Sequence, residues 1–254
     1  MLMKFSMQNT DWFQAANRKL QTGLRLAVSE DTNRTDMCSL WHRTRVYECP
    51  WMLHHAPPTG RILDIGSNAQ WYCGLMGMGV ENLTLHYTHY DISSIGRMFP
   101  WEEDGKGGIR LEKFFHKYRD KLTIVLGYLD KLQFIQEATY DTIYCISVVE
   151  HLPPEELSGL LDGMWRLLKP GGRLALTCDW FINDRIGKGI PNLLTNHNLS
   201  PFLKNWGVAP EQPLSGIPWT NEFNVEDWQD GDSVLGDFHK IMGVYGFTVT
   251  KPLT

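Results

Sequence analysis

Asp64, Gly66 and Asp91 have the residue types and the spacing to hold a nucleoside. Arg61-Ile62-Leu63-Asp64-Ile65-Gly66-Ser67-Asn68 runs a short apolar strand into a carboxylate and then a glycine turn. A second strand-like stretch, Leu83 to Tyr90, closes on Asp91. Glycine at such a turn lets the backbone approach a ligand, and a carboxylate ending the next strand can accept hydrogen bonds from two ribose hydroxyls. Glycine turns after strands are common, so the pattern gains its weight from the elements around it.

Holding these residues together requires a parallel sheet, and the patterning supplies one. Strands are predicted at 61–65, 84–90, 122–127, 141–147 and 172–178, and helices at 69–78, 109–119, 154–168 and 233–245. Their alternation predicts an α/β fold: a Rossmann-like, mostly parallel sheet with helices on both faces. Upstream, Trp12, Phe13, Ala16, Leu20, Leu24 and Leu26 recur at helical spacing across 10–30. A second helical piece from Val46 to His55 stops at the breaker Pro57-Pro58-Thr59-Gly60. The expected organisation is an N-terminal helical cap over 1–58 and a main domain over 59–254. In Leu167-Leu168-Lys169-Pro170-Gly171-Gly172-Arg173 a base, a proline and glycines end a helix before the strand Leu174 to Cys178. Periodicity fades over 180–232, a stretch rich in Pro, Asn, Gly and Trp and too long for a simple connector. It is expected to be an ordered lid, inserted near the C-terminus, that shapes a substrate pocket.

Composition narrows the function classes. With 43% hydrophobic and 21% charged residues the chain is an ordinary globular protein, and its net charge of −5 gives no electrostatic reason to expect nucleic acid or an anionic membrane as partner. The five cysteines (Cys38, Cys49, Cys73, Cys145 and Cys178) lack metal-binding spacing and are odd in number. Reduced, buried thiols in a cytoplasmic protein are expected. No apolar run approaches the ~20 residues of a membrane helix, and the N-terminal residues do not read as a signal peptide. His54 and His55 are adjacent, and His86 and His89 point to opposite strand faces, so no metal site is expected.

Four segments in order resemble the class I S-adenosylmethionine-dependent methyltransferases of the small-molecule, type 11-like kind. They are Ile62 to Gly66; Tyr90-Asp91-Ile92-Ser93; Tyr140 to Cys145 leading into Val149-Glu150-His151-Leu152; and Leu167 to Gly172. The likeness spans roughly residues 45–178. It implies S-adenosylmethionine as cofactor, S-adenosylhomocysteine as product, and a small molecule methylated on oxygen or nitrogen. It also implies the site residues. Asp64 would face the cofactor's ammonium group, and Gly66, with Ser67 and Asn68, would line its methionine arm. Asp91, with Ile92, would hold the ribose. Tyr128, Leu129 and Asp130 would border the adenine, and Ser147 would lie where the fourth strand ends over the cofactor. His151 is the first candidate for general base and Asp179, beside Trp180, the second. The helix holding Tyr47 resembles one that closes over the cofactor.

The chain also departs from the pattern. Asn68 and Gln70 stand where further glycines are usual; Asn tolerates left-handed backbone, but its side chain narrows the approach. Gly127 is followed by Tyr128-Leu129-Asp130, with the acid displaced, and 100–108 reads as an inserted, solvated loop. Gly246 to Thr250 resembles a sixth strand with no seventh after it. The lost glycines keep a non-catalytic binding module or partner subunit open as the alternative. A dehydrogenase would need those glycines, and a nucleic-acid amino methyltransferase would need prolines and an aromatic where Val148-Val149-Glu150-His151 stands. Oligomeric state and acceptor identity are not encoded in any motif.

Overall fold

The structure is a computed structural model, and it describes residues 10–28, 45–66, 69–87, 111–127, 129, 135–149, 152, 154–181, 202–209 and 242–253. Helices α1 (Asp11–Val28) and α2 (Arg45–His55) precede β1 (Arg61–Ile65), α3 (Ala69–Gly77) and β2 (Asn82–Tyr87). Then follow α4 (Leu111–Tyr118), β3 (Leu122–Leu126), β4 (Tyr140–Ile146), α5 (Pro154–Leu167), β5 (Leu168–Phe181) and β6 (Met242–Thr250). The six strands form one sheet in the order β3-β2-β1-β4-β5-β6. All neighbouring pairs are parallel except β5 with β6. The chain winds outward from β1 through β2 to β3, then returns to the other side of β1 as β4. The crevice between the carboxyl ends of β1 and β4 is therefore the switch point where such sheets bind ligands.

Side-chain alternation along the strands feeds two cores. Ile62, Leu83, Leu85, Tyr144 and Ala175 join α1, α2, α3 and Phe114 of α4 on one face. Leu63, Ile65, Ile143, Cys145 and Leu176 join α5 on the other. The two N-terminal helices thus form part of one covering layer, in a common buried cluster with the sheet. Helix α1 lies so close to α3 that a Cβ on Gly77 would fall 1.7 Å from the Gly23 carbonyl oxygen, and one on Gly74 would fall 2.4 Å from Leu20 Cδ1. Glycine lowers helix propensity by about 1 kcal/mol, and here it permits a backbone approach that fixes the helix following the first turn.

At the amino-terminal end of the sheet, Lys169 Nζ donates to both carboxylate oxygens of Asp141 at 2.8 Å, and the Arg61 N–H donates to Asp141 Oδ2 at 2.8 Å. This staple joins β1, β4 and the Lys-Pro-Gly-Gly turn at the end opposite the switch point.

The elements depart from the sequence reading in two places. Helix α5 stops at Leu167, and Leu168 already pairs with Tyr140; Lys169 to Gly172 interrupt the ladder before Arg173 pairs with Thr142. The Gly171 N–H bonds to the Lys251 carbonyl and the Lys251 N–H to the Gly172 carbonyl, so the breaker residues are absorbed into the sheet. The helix expected over 233–245 is strand from Met242 onward, because Met242 to Tyr245 pair with Phe181 to Cys178; 233–241 lie outside the described residues. The expected sixth strand forms and runs antiparallel to β5.

Candidate functional site at the carboxyl ends of β1 and β4

Three strands end in the same way. The residue after β1, Gly66, has φ +58°; the residue after β3, Gly127, has φ +129°; the residue after β4, Ser147, has φ +47°. Each is held by its neighbours. Gly66 N–H bonds to the His86 carbonyl at 2.8 Å, Gly127 N–H to the Tyr87 carbonyl at 2.9 Å and Ser147 N–H to the Thr177 carbonyl at 2.9 Å. His86, fully buried, places Nε2 2.7 Å from the Gly127 carbonyl oxygen. A carbonyl only accepts, so Nε2 carries the proton. The result is a pinned rim on which the chain turns away from the sheet at each strand end.

The tightest approach lies at the switch point itself. A Cβ on Gly66 would meet Val148 Cγ2 at 2.7 Å. Both the left-handed backbone and the lack of space demand glycine here. A bare backbone turn at this crevice is the cradle that a nucleoside cofactor's amino-acid arm requires, so the residues present fit that group.

Two buried acids lie on the face covered by α1, α2 and α3. Asp64 is 0% exposed and sits in register between Leu85 of β2 and Tyr144 of β4. Burial pushes the Tyr144 phenol well above its ordinary 10.0, and the Asp64 charge adds to the rise. The Tyr72 phenol is raised too, first by burial and then by Cys73, Tyr87 and Asp64. Tyr144 stays protonated and donates to the Ala56 carbonyl at the end of α2 at 2.5 Å, while Trp71 packs edge-on against its ring. The second acid is Glu48 of α2, 1% exposed, which accepts a 2.8 Å hydrogen bond from Ser147 Oγ. Helix α2 runs antiparallel to β4, with Glu48 at Ser147, Ala56 at Tyr144 and the following Thr59 at Thr142. Its N-terminus therefore lies at the rim.

Asp64, Gly66 and Ser147 are gathered at or just beneath the switch point. Leu129 is buried against Gly163 of α5, where a Cβ on that glycine would lie 3.1 Å from Leu129 Cγ. Asp179 is a β5 residue in register with Val244. Ser67, Asn68, Asp91, Ile92, Tyr128, Asp130 and His151 lie outside the described residues. Of the expected lid, 202–209 are described: Leu203 is buried in the α5-side core, and Trp206 stacks on Trp165 of α5 at 4.7 Å and 4°. Sequence reasoning missed Glu48. Its one legible signal was an acid inside the apolar run Val46 to Leu53, two residues before a proline.

Among the described residues no helix is long and apolar enough to cross a membrane. Comparison with known proteins places residues 63–176 in agreement with the methyltransferase domain family. Several solved structures share the fold. The [4+2]-cyclase SpnF has a TM-score of 0.55 at 15% identity, over 96% of this chain and 98% of that one. An S-adenosylmethionine-dependent methyltransferase from Mesorhizobium loti has a TM-score of 0.50 at 16% identity, over 80% of this chain and 97% of that one. The Haemonchus contortus phosphoethanolamine N-methyltransferase 2, crystallised with phosphomonomethylethanolamine and S-adenosylhomocysteine, has a TM-score of 0.53 at 13% identity. That match spans 79% of this chain and 52% of the worm enzyme. No curated protein matches the chain.

Proposed function

We propose that the chain is an S-adenosylmethionine-dependent methyltransferase that transfers a methyl group to an oxygen or nitrogen of a small-molecule metabolite; the agreement of residues 63–176 with the methyltransferase domain family supports this reading. The observation that carries this reading is the turn at Gly66, left-handed and without room for a side chain against Val148, at the β1/β4 switch point. S-adenosylmethionine, when bound, supplies an electrophilic methyl group on a sulfonium.

The chain's own residues bind, orient and exclude water. Gly66, Ser67 and Asn68 would line the methionine arm, and Ser147 would border the cofactor from β4. Asp91, with Ile92, would take the ribose hydroxyls, and Tyr128, Leu129 and Asp130 would border the adenine. Asp64 places a buried carboxylate beneath the rim, which suits a ligand carrying positive charge. Aligning the acceptor with the methyl group is the main catalytic task, and His151 takes the acceptor's proton, with Asp179 as the second candidate. The lid over 180–232 selects the acceptor. Among the described residues Cys49, Cys73, Cys145 and Cys178 are buried thiols, which suits a reducing, cytoplasmic setting.

The test is turnover. The chain is incubated with methyl-labelled S-adenosylmethionine and a panel of small amines, phenols and hydroxy acids, and S-adenosylhomocysteine release is followed. Release that depends on one acceptor class supports the reading. Cofactor binding without turnover on any acceptor favours a non-catalytic binding module.

A further inference from the structure

Ser147 holds a backbone conformation that side-chain-bearing residues seldom adopt, and the structure shows what keeps it there. Its φ is +47°. Its N–H is fixed by the Thr177 carbonyl, and its hydroxyl is fixed by Glu48. The left-handed turn at Ser147 directs Val148 toward Gly66, with Cγ2 2.7 Å from where a Cβ on that glycine would be. A continuous chain of contacts thus runs from Glu48 on α2, through Ser147 and Val148, to the glycine turn of β1.

Glu48 lies outside the segment that matches the methyltransferase family, which begins at residue 63. We infer that Glu48 is a positioning residue of the cofactor site: its hydrogen bond to Ser147 fixes the turn that ends β4, and so seats Val148 against the Gly66 turn beside which the cofactor is held. This inference rests on the cofactor reading above. It makes helix α2 part of the site, so that the family's matched segment is incomplete without it. The function required of Glu48 is that of a hydrogen-bond acceptor, which an amide oxygen also performs.

The experiment is calorimetric titration of the full chain with S-adenosylhomocysteine. Variants are Glu48→Leu, Glu48→Gln, Ser147→Ala and the double Glu48→Leu/Ser147→Ala. Lys169→Met, a destabilising change at the far end of the sheet, is the control for lost stability. Glu48→Leu and Ser147→Ala should each weaken binding about tenfold, the scale of one buried hydrogen bond. The double variant should be no weaker than either single one, because both break the same link. Glu48→Gln, which keeps an acceptor, should restore most of the affinity, and Lys169→Met should bind like the wild type. Wild-type affinity in Ser147→Ala, additive losses in the double variant, or equal losses in Glu48→Gln and Glu48→Leu would overturn the inference. If Glu48→Leu does not fold, Ser147→Ala and Glu48→Gln decide. A wild-type chain that binds no S-adenosylhomocysteine would instead remove the cofactor reading itself.

Discussion

Gly66 and Val148 meet across the β1/β4 crevice with no room for one further carbon, the Cβ position lying 2.7 Å from Val148 Cγ2. The turn at Gly66 also has φ +58°. Gly66→Ala should therefore cost about 1–3 kcal/mol of stability through backbone strain and overpacking. It should weaken cofactor binding at least about tenfold. Adding Val148→Ala should recover the packing part of the loss and leave the backbone part. Urea unfolding of the single and double variants measures both; identical stabilities would show that space at this turn is not limiting.

Two predictions concern residues whose roles come from the family likeness. Asp91→Ala should weaken S-adenosylmethionine binding about tenfold or more by removing acceptors for the ribose hydroxyls. His151→Ala should lower kcat and leave cofactor affinity nearly unchanged if the imidazole takes the acceptor's proton. Equilibrium titration and steady-state kinetics read the two separately. Unchanged affinity in the first variant would take Asp91 out of the site, and an unchanged rate in the second would return His151 to packing.

The Asp141 staple predicts an acid-sensitive contribution to stability. Burial pulls the carboxyl upward, but the hydrogen bonds from Lys169 and the Arg61 N–H, with the Lys169 charge, outweigh it and hold the group below its ordinary 3.8. A depressed carboxylate stabilises the fold above its unfolded value and loses that contribution as pH falls through the folded value. The pair is partly solvent-exposed, so the effect should stay within about 1 kcal/mol. The stability difference between wild type and Asp141→Asn should be present at about pH 6 and shrink below about pH 4. A constant difference across that range would contradict the ionic account.

His55 predicts a second acid effect in a higher window. Burial, then the neighbouring His54 and Arg173, lower it from 6.5 to about 4. The folded chain resists a proton that the unfolded chain accepts, so stability should be full above about 6.5 and fall as pH drops toward about 4. His55→Gln should flatten unfolding curves through that window. A slope unchanged by the substitution would assign the acid sensitivity to other groups.

What the sequence revealed and what it concealed divide by the range of the interactions. Strand β1 was legible at Arg61 to Ile65 because an apolar run bounded by Gly60 and Gly66 is a local signal. Within the last strand, Gly246 to Thr250 is legible as strand, but Met242 to Tyr245 reads as the end of a helix, because its strand identity comes from pairing with Phe181 to Cys178 across the lid stretch, a contact that local periodicity does not record. The Lys-Pro-Gly-Gly turn was read correctly as a helix stop, but its absorption into β5 depends on Lys251, from the other end of the domain. Around the switch point, local chemistry picks out Gly66 and Asp64 as candidates. It does not pick out Glu48, since its partner Ser147 is 99 residues away, and neither residue gives local notice of a buried hydrogen bond or a left-handed serine.

The most direct measurement is calorimetric titration of the purified chain with S-adenosylmethionine and S-adenosylhomocysteine, with NAD as the control ligand. Saturable binding of the first two at roughly micromolar affinity, about −8 kcal/mol, and none of the third is the predicted result. Failure of both sulfur nucleosides to bind would contradict the account, and would mean that the turn carrying Asn68 and Gln70 closes the crevice beside Gly66.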